Sequence, residues 1–250
     1  MVDAVVLAGS PNSGPLKECS PVPYEALIPI GPKAMVQYVV EALLAARGVG
    51  RVVVVGPREL EGCLAGFPVE LVPPGKDLLE NVLRALERLP GAGRVLVASS
   101  DIPLLTPRAV EDFLEQCRGR EADLYYPVVP REAVERSFPG PSRRTYVRLR
   151  DGVFTGGNLF LVNPEVVPRC LGFGQRFIAA RKSPWKLCRL LGAVFLLRYL
   201  LRRLSIEEAR DRVSRLMGIR GEVVISRYAE VGVDVDKPAD LEMVAAVLRG

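Results

Sequence analysis

Histidine is absent from all 250 residues of the chain. That excludes His-based catalytic triads, imidazole metal sites and imidazole general bases. Any chemistry must run on carboxylates, Lys, Arg, backbone donors and metal ions. Cysteine is sparse: Cys19, Cys63, Cys117, Cys170 and Cys188. The count is odd and no pair has C-x-x-C spacing, which points to reduced structural thiols in a cytoplasmic protein. Lysine supplies only six of the 34 basic residues, so the positive charge is carried by arginine. Asn and Gln are few, a balance compatible with a thermophilic source or with GC-rich coding. No apolar run reaches the ~20 residues of a membrane span. No G-x-G-x-x-G follows the first apolar run, which argues against a dinucleotide-dependent dehydrogenase. There is no internal repeat and no low-complexity linker. The chain opens directly on a core-like apolar segment, so no signal peptide is expected.

What is present is the composition of an ordinary folded domain, 49% hydrophobic and 25% charged, and long enough for one substantial core. The net charge of +5 suits an anionic small substrate. It is too small and too dispersed to argue for nucleic acid.

Short apolar runs alternate with helical spacing. Ala4–Ala8, Arg51–Val55, Val69–Val72, Arg94–Ala98 and Ala122–Val129 read as buried strands. Met35–Ala46, Arg58–Ala65, Lys76–Leu89 and Pro107–Cys117 read as helices, the last with Thr106 as N-cap and Pro107 in first position. The alternation predicts an α/β fold, a mostly parallel, doubly wound, Rossmann-like sheet. In the second half Arg143–Leu149, Leu159–Val162, Glu222–Ser226 and Val231–Val235 read as strands, and Glu207–Met217 and Lys237–Leu248 as helices. The expectation is one domain over 1–250 with an accessory helical insertion at about 174–217.

Four clusters carry possible chemistry. Gly9 to Pro15 breaks all periodicity straight after the first strand, and such a loop can present consecutive N–H groups to phosphate. In an open α/β sheet that is where ligands sit. Asp101, in Ser-Ser-Asp-Ile-Pro, ends a buried strand on the same side, where it can either bind metal or cap the turn. Asp234 and Asp236, in Gly-Val-Asp-Val-Asp-Lys-Pro, would share a side if the segment is a strand, and Asp236 also stands where it could cap the final helix. Asp240 reads as a first-turn helix acid. Thr155-Gly156-Gly157-Asn158 allows close backbone approach to a ligand, or forms a tight turn. Arg143, Arg144 and Arg148 form either a solvated strand edge or a contact for a phosphorylated acceptor.

The order of these blocks resembles the nucleotidyltransferase family typified by molybdenum-cofactor guanylyltransferase and sugar-phosphate nucleotidyltransferases. Leu7, Ala8, Gly9 and Ser10 match its Leu-Ala-Gly-Gly loop, Glu25 to Val36 its second block, and Asp234 to Leu241 its late acidic block. The resemblance implies the three-layer fold of the nucleotide-diphospho-sugar transferase type and nucleotide binding by Leu7, Ala8, Gly9, Ser10 and Gly14. It also implies Mg²⁺ held by Asp101 with Asp236 or Asp234, and a nucleobase near Gly75 and Asn81. Asn81 would read the base edge with its paired donor and acceptor, or else is an exposed helix residue. The acceptor is expected at Thr155, Gly156, Gly157, Asn158 and Arg144. The chain departs from the pattern twice: Gly14 stands where the family has Arg, and Glu25 where it has Lys. Lys17 or Lys33 is expected to supply the missing charge.

The expected reaction is Mg²⁺-dependent transfer of a nucleoside monophosphate from an NTP to a phosphorylated small-molecule acceptor, with release of pyrophosphate. A nucleotide-sugar glycosyltransferase is disfavoured because Ser99-Ser100-Asp101 lacks the first Asp of an Asp-x-Asp pair. A nucleotide-binding protein without catalysis is the third reading. The stretch Lys182–Arg203 is apolar and basic. It reads as a buried helix or a homodimer contact ahead of a membrane surface or lipid-like acceptor.

Overall fold

The computed structural model describes residues 1–139, 144–180 and 189–249. Its centre is β1 (Val2–Leu7), whose side chains alternate between two separate cores. Ala4 and Val6 face one, Val5 the other, and the same period-two division recurs at Val52 and Val54 against Val53 and Val55. Strands buried on both faces read as unbroken apolar runs, and this is why these segments do.

β1 is followed by the short hairpin β2 (Pro29–Ile30) and β3 (Lys33–Ala34), then α1 (Met35–Ala45), β4 (Val49–Val55), α2 (Glu61–Leu64), β5 (Val69–Val72), α3 (Leu78–Leu86), β6 (Val95–Ser99) and α4 (Pro107–Gln116). β5, β4, β1 and β6 are parallel neighbours in that order. Helix starts follow local chemistry. The Asp77 carboxylate accepts from Glu80 N–H to open α3, and Thr106 Oγ1 accepts from Ala109 N–H to open α4.

The second half mixes directions. β7 (Leu124–Pro130), α5 (Arg131–Ser137), β8 (Val147–Leu149), β9 (Gly152–Gly156) and β10 (Leu159–Val162) complete a nine-stranded sheet with β11 (Gly221–Ile225). β10 runs antiparallel between β6 and β7, β9 antiparallel to β7, and β11 parallel to it. Helices α6 (Val167–Ala180), α7 (Ala193–Leu200) and α8 (Ile206–Met217) form the accessory region, and α9 (Pro238–Arg249) ends the chain. Phe113 on α4 and the α1 residues Val36, Val39, Val40 and Leu43 cover one face; Val82 and Ala85 on α3 with Val167 and Cys170 on α6 cover the other.

Several sequence expectations are corrected. Val231–Val235 is not a strand: Ala229–Gly232 is a 3₁₀ turn and the rest joins no sheet. The valines repeat every second residue because Val231, Val233 and Val235 are all buried in the main core, not because they pair. Arg143–Leu149 shrinks to Val147–Leu149, with Arg143 outside the described residues. Thr155 and Gly156 belong to β9 rather than to a loop. The short helix α5 was not anticipated. Of Lys182–Arg203, residues 182–188 lie outside the described residues; the remainder does not form a buried helix, since α7 has no buried residue.

Gly157, between β9 and β10, is where the sheet meets the Val231 segment. A Cβ there would stand 2.7 Å from Pro127 Cγ and 2.9 Å from Val231 Cγ1. Gly157→Ala should therefore destabilise the fold by about 1–3 kcal/mol in urea titration. Gly62→Ala, in α2 with nothing near the added carbon, should be neutral or slightly stabilising.

Candidate active site

The site begins where β1 and β6 end side by side. Leu7 pairs in register with Ser99, and Ser100 N–H donates to the Leu7 carbonyl at 3.1 Å. Gly9 lies two residues beyond Leu7, and Asp101 two beyond Ser99. Neighbouring strands are about 4.8 Å apart, so the glycine loop and the carboxylate open on one mouth of the sheet.

Asp101 is brought to two further acids from the far end of the chain. Val235 N–H donates to the Asp101 carbonyl at 2.8 Å, which pins the Asp234–Asp236 segment against the end of β6. One carboxylate oxygen from each of Asp101, Asp234 and Asp236 lies within 4.8 Å of the others. Burial, and then the charges of Asp234 and Asp236, push the Asp101 carboxyl up to about 7, partly opposed by the hydroxyl of Ser99 donating to it. Three hard oxygen donors at this separation fit Mg²⁺. Opposite ligands of an octahedral ion with bonds of ~2.1 Å stand about 4 Å apart, and such ions take few carboxylates, leaving positions for water and phosphate.

Arg144, expected at the acceptor, is instead buried beside this cluster. Its guanidinium donates to a carboxylate oxygen of Asp234, to the Gly232 carbonyl at 2.9 Å and to the Asp234 carbonyl at 2.7 Å. Asp240 is the first-turn acid of α9 that the sequence predicts. It lies 3.9 Å from Arg144, and its carboxylate accepts from the N–H groups of Asp236 at 3.3 Å and Lys237 at 3.1 Å. Ser99 was missed, although its position two residues before Asp101 on a strand places both on one side.

The loop side is narrower than the sequence suggested. Asn12 N–H donates to the Pro23 carbonyl and Ser13 N–H to the Pro11 carbonyl, while Pro11 has no N–H. Among the described residues this leaves the amides of Gly9, Ser10 and Gly14 facing no partner in the chain. Asn12 ties the loop shut through Nδ2, which donates to the carbonyls of Ser20 at 2.9 Å and Val22 at 3.0 Å. Across the mouth, Asn81 Oδ1 accepts from Gly75 N–H at 2.6 Å. One of the two lone pairs of its acceptor is thus engaged within the turn, and its amide nitrogen faces the Gly9 side. A Cβ on Gly9 would lie 3.7 Å from Asn81 Nδ2 and 3.1 Å from Pro74 Cβ, so the glycine lets the two walls of the cleft meet.

The Thr155–Asn158 stretch proves to be a bracket. Asn158 N–H donates to the Val231 carbonyl at 2.9 Å, and its own carbonyl accepts from Ser99 N–H at 3.0 Å, joining β6 to the acidic segment. Gly157 N–H bonds to the Pro127 carbonyl, and buried Thr155 packs against Gly232. Lys33 is held in an ion pair with Glu41 at 2.6 Å and lies over the Tyr38 ring. Lys17 is exposed on the 3₁₀ turn Pro15–Glu18, anchored by fully buried Leu16. A Cβ on Gly14 would lie 3.9 Å from Glu25 Oε1, so the two departures from the family pattern touch in space.

Comparison with known proteins fits this geometry. The family described as the MobA-like NTP transferase domain matches residues 4–213. A hypothetical transferase from Thermus thermophilus superposes with a TM-score of 0.84 at 43% identity, covering 96% of this chain and 99% of that one. CMP:2-keto-3-deoxy-manno-octonic acid synthetase, solved with CTP, shares the fold at 19% identity with a TM-score of 0.58, over 99% of this chain and 98% of that one. So does 4-diphosphocytidyl-2C-methyl-D-erythritol synthase from Anaerococcus prevotii, at 11% identity and a TM-score of 0.62, over 100% and 96%. No curated protein matches. A glycine loop beside an acidic cluster, on a fold shared with these enzymes and under a family match that runs through most of the chain, leads to one conclusion: the chain belongs to the MobA-like NTP transferase domain family and is a nucleotidyltransferase.

Proposed function

We propose that the protein transfers a nucleoside monophosphate from an NTP to a phosphorylated small-molecule acceptor, with Mg²⁺ as cofactor. The observation that carries this reading is the meeting of Asp101, Asp234 and Asp236 within 4.8 Å, beside the loop that follows β1. An acceptor phosphate oxygen attacks the α-phosphorus, a new P–O bond forms, and the bond to the β-phosphate oxygen breaks to release pyrophosphate. A phosphate acceptor is already ionised near neutral pH, so the absence of histidine is no obstacle. The residues mainly position two anions and offset their charge.

Asp101 and Asp236 would hold the ion, with Asp234 oriented by Arg144 at its edge. Bound there, Mg²⁺ would neutralise phosphate charge and fix the phosphate oxygens. The amides of Gly9, Ser10 and Gly14 would take the triphosphate, and the Asn81 amide nitrogen would face the nucleotide from the opposite wall. Lys17, rather than Lys33, would offset charge on the departing pyrophosphate, since Lys33 is paired with Glu41.

Incubation with each NTP, Mg²⁺ and a panel of sugar and alcohol phosphates should release pyrophosphate in a coupled assay. Asp101→Ala should lower the rate by at least about a hundredfold; full activity in that variant would sink the metal assignment. Lys17→Ala should reduce kcat/KM by about tenfold or more, and Lys33→Ala should leave it within about twofold.

The acidic cluster also fixes a pH dependence. Asp101 titrates at about 7 when folded, against an ordinary value of 3.8. The folded state therefore binds the extra proton between these values, and this group's contribution to stability falls as pH rises through that window. In EDTA, Asp101→Asn should match the parent near pH 4 and exceed it above pH 7, by on the order of a few kcal/mol. Added Mg²⁺ should raise the melting temperature of the parent and not of the variant.

A further inference from the structure

From Val166 to Ile206 the chain contains nine Arg and Lys residues and no acid, although its overall charge is only +5. The remainder of the molecule is therefore net negative, and the positive charge is gathered in the accessory region. Within that region α7 turns its apolar side outward. Val194 is 72% exposed, Leu197 57%, Leu200 63% and Leu201 56%. Spacings of three and four residues put these side chains on one face. Arg189, Arg202 and Arg203 are exposed at the two ends of the helix.

An outward apolar face does not hold a helix in place, so α7 must be braced from behind. Buried Leu191 and Leu204 anchor the flanking chain. Arg212 Nε donates to the Leu191 carbonyl at 2.8 Å, and Arg198 pairs with Glu208 at 2.7 Å. Arg150 N–H donates to the Leu204 carbonyl at 2.8 Å, and Ile206 N–H to the Asp151 carboxylate at 2.8 Å. The brace uses the polar and buried positions and leaves the four aliphatic side chains to an outside partner.

We propose that α7 and its flanking arginines dock the protein on an anionic lipid surface. Eight residues of helix are about 12 Å long, and no helix among the described residues is long and apolar enough to cross a membrane. The geometry suits a helix lying in the headgroup plane, with Leu197 and Leu200 at the acyl boundary and Arg202 and Arg203 among lipid phosphates. A second copy of the chain would bring the same positive stretch and repel it. A nucleic acid would match the charge but leave the leucines uncovered. β9 runs from the Asp151 turn beside this brace to Thr155 beside Gly232, so the docking surface and the active site share one strand.

Flotation with vesicles of phosphatidylglycerol or of phosphatidylcholine tests the assignment without any nucleotide. The protein should float with phosphatidylglycerol, stay in the aqueous fraction with phosphatidylcholine, and come off in high salt. Leu197→Asp with Leu200→Asp, and separately Arg202→Glu with Arg203→Glu, should each lower the bound fraction at least about tenfold. Circular-dichroism melts and pyrophosphate release on soluble substrates should not change. Failure of the parent protein to bind phosphatidylglycerol, equal binding to both lipids, or binding indifferent to both double variants would overturn the proposal. So would a dimer in sedimentation equilibrium that the leucine variant dissociates, because the face would then belong to a second copy.

Discussion

One backbone hydrogen bond, from Val235 N–H to the Asp101 carbonyl, joins the two distant segments that form the acidic cluster of the candidate site. Neither segment supplies a site alone. Asp101 is fixed by β6, and β6 by its register with β1, so its position is as rigid as the sheet. The Asp234–Asp236 segment has no ladder of its own and borrows rigidity from three places: the Val235 bond, the Asn158 bracket, and the burial of Val231, Val233 and Val235. Glu230 adds a fourth tie, accepting from the hydroxyl of Thr106, which also caps α4.

Bringing three carboxylates together is electrostatically unfavourable, and the Asp101 carboxyl is raised by its burial first and then by the charges of Asp234 and Asp236. Arg144 and Asp240 show how the chain tolerates it. The buried guanidinium satisfies Asp234 and two carbonyls, while Asp240 accepts backbone N–H groups and lies near the same Arg. Asp240 therefore closes the turn into α9. Arg144 is a positioning residue in this arrangement, since its donors are directed at the acidic segment itself.

The first half of the fold was legible because strands buried on both faces and amphipathic helices leave unambiguous patterns. Asp101 was legible for the same reason: it follows a run whose end is sharply marked. The second half was less so. Val231–Val235 repeats with period two, but burial in the core off the sheet and pairing in a sheet yield the same alternation, and only the absent ladder distinguishes them. Arg144 resembled a substrate contact because nothing local in the sequence reveals a partner ninety residues away at Asp234. The bond from the Gly75 amide to the Asn81 oxygen was not legible, because it is a turn contact set by the path of the loop rather than by periodicity. The outward face of α7 has the same spacing as a buried one, and sequence does not say which way a helix turns.

The two departures from the family pattern are better understood as one. Gly14 and Glu25 lie against each other, so an Arg at the first position would meet the Glu25 carboxylate and be drawn away from phosphate. With glycine there, the loop keeps its backbone donors and loses a cation that Glu25 would have captured. On the proposed reading, positive charge for the triphosphate would come from outside that pair: from an ion at the acidic cluster and from Lys17, carried on the turn that starts immediately after Gly14. That reading moves the charge of the loop side along the chain to Lys17, while the carboxylates at the strand ends keep the arrangement that the sheet imposes.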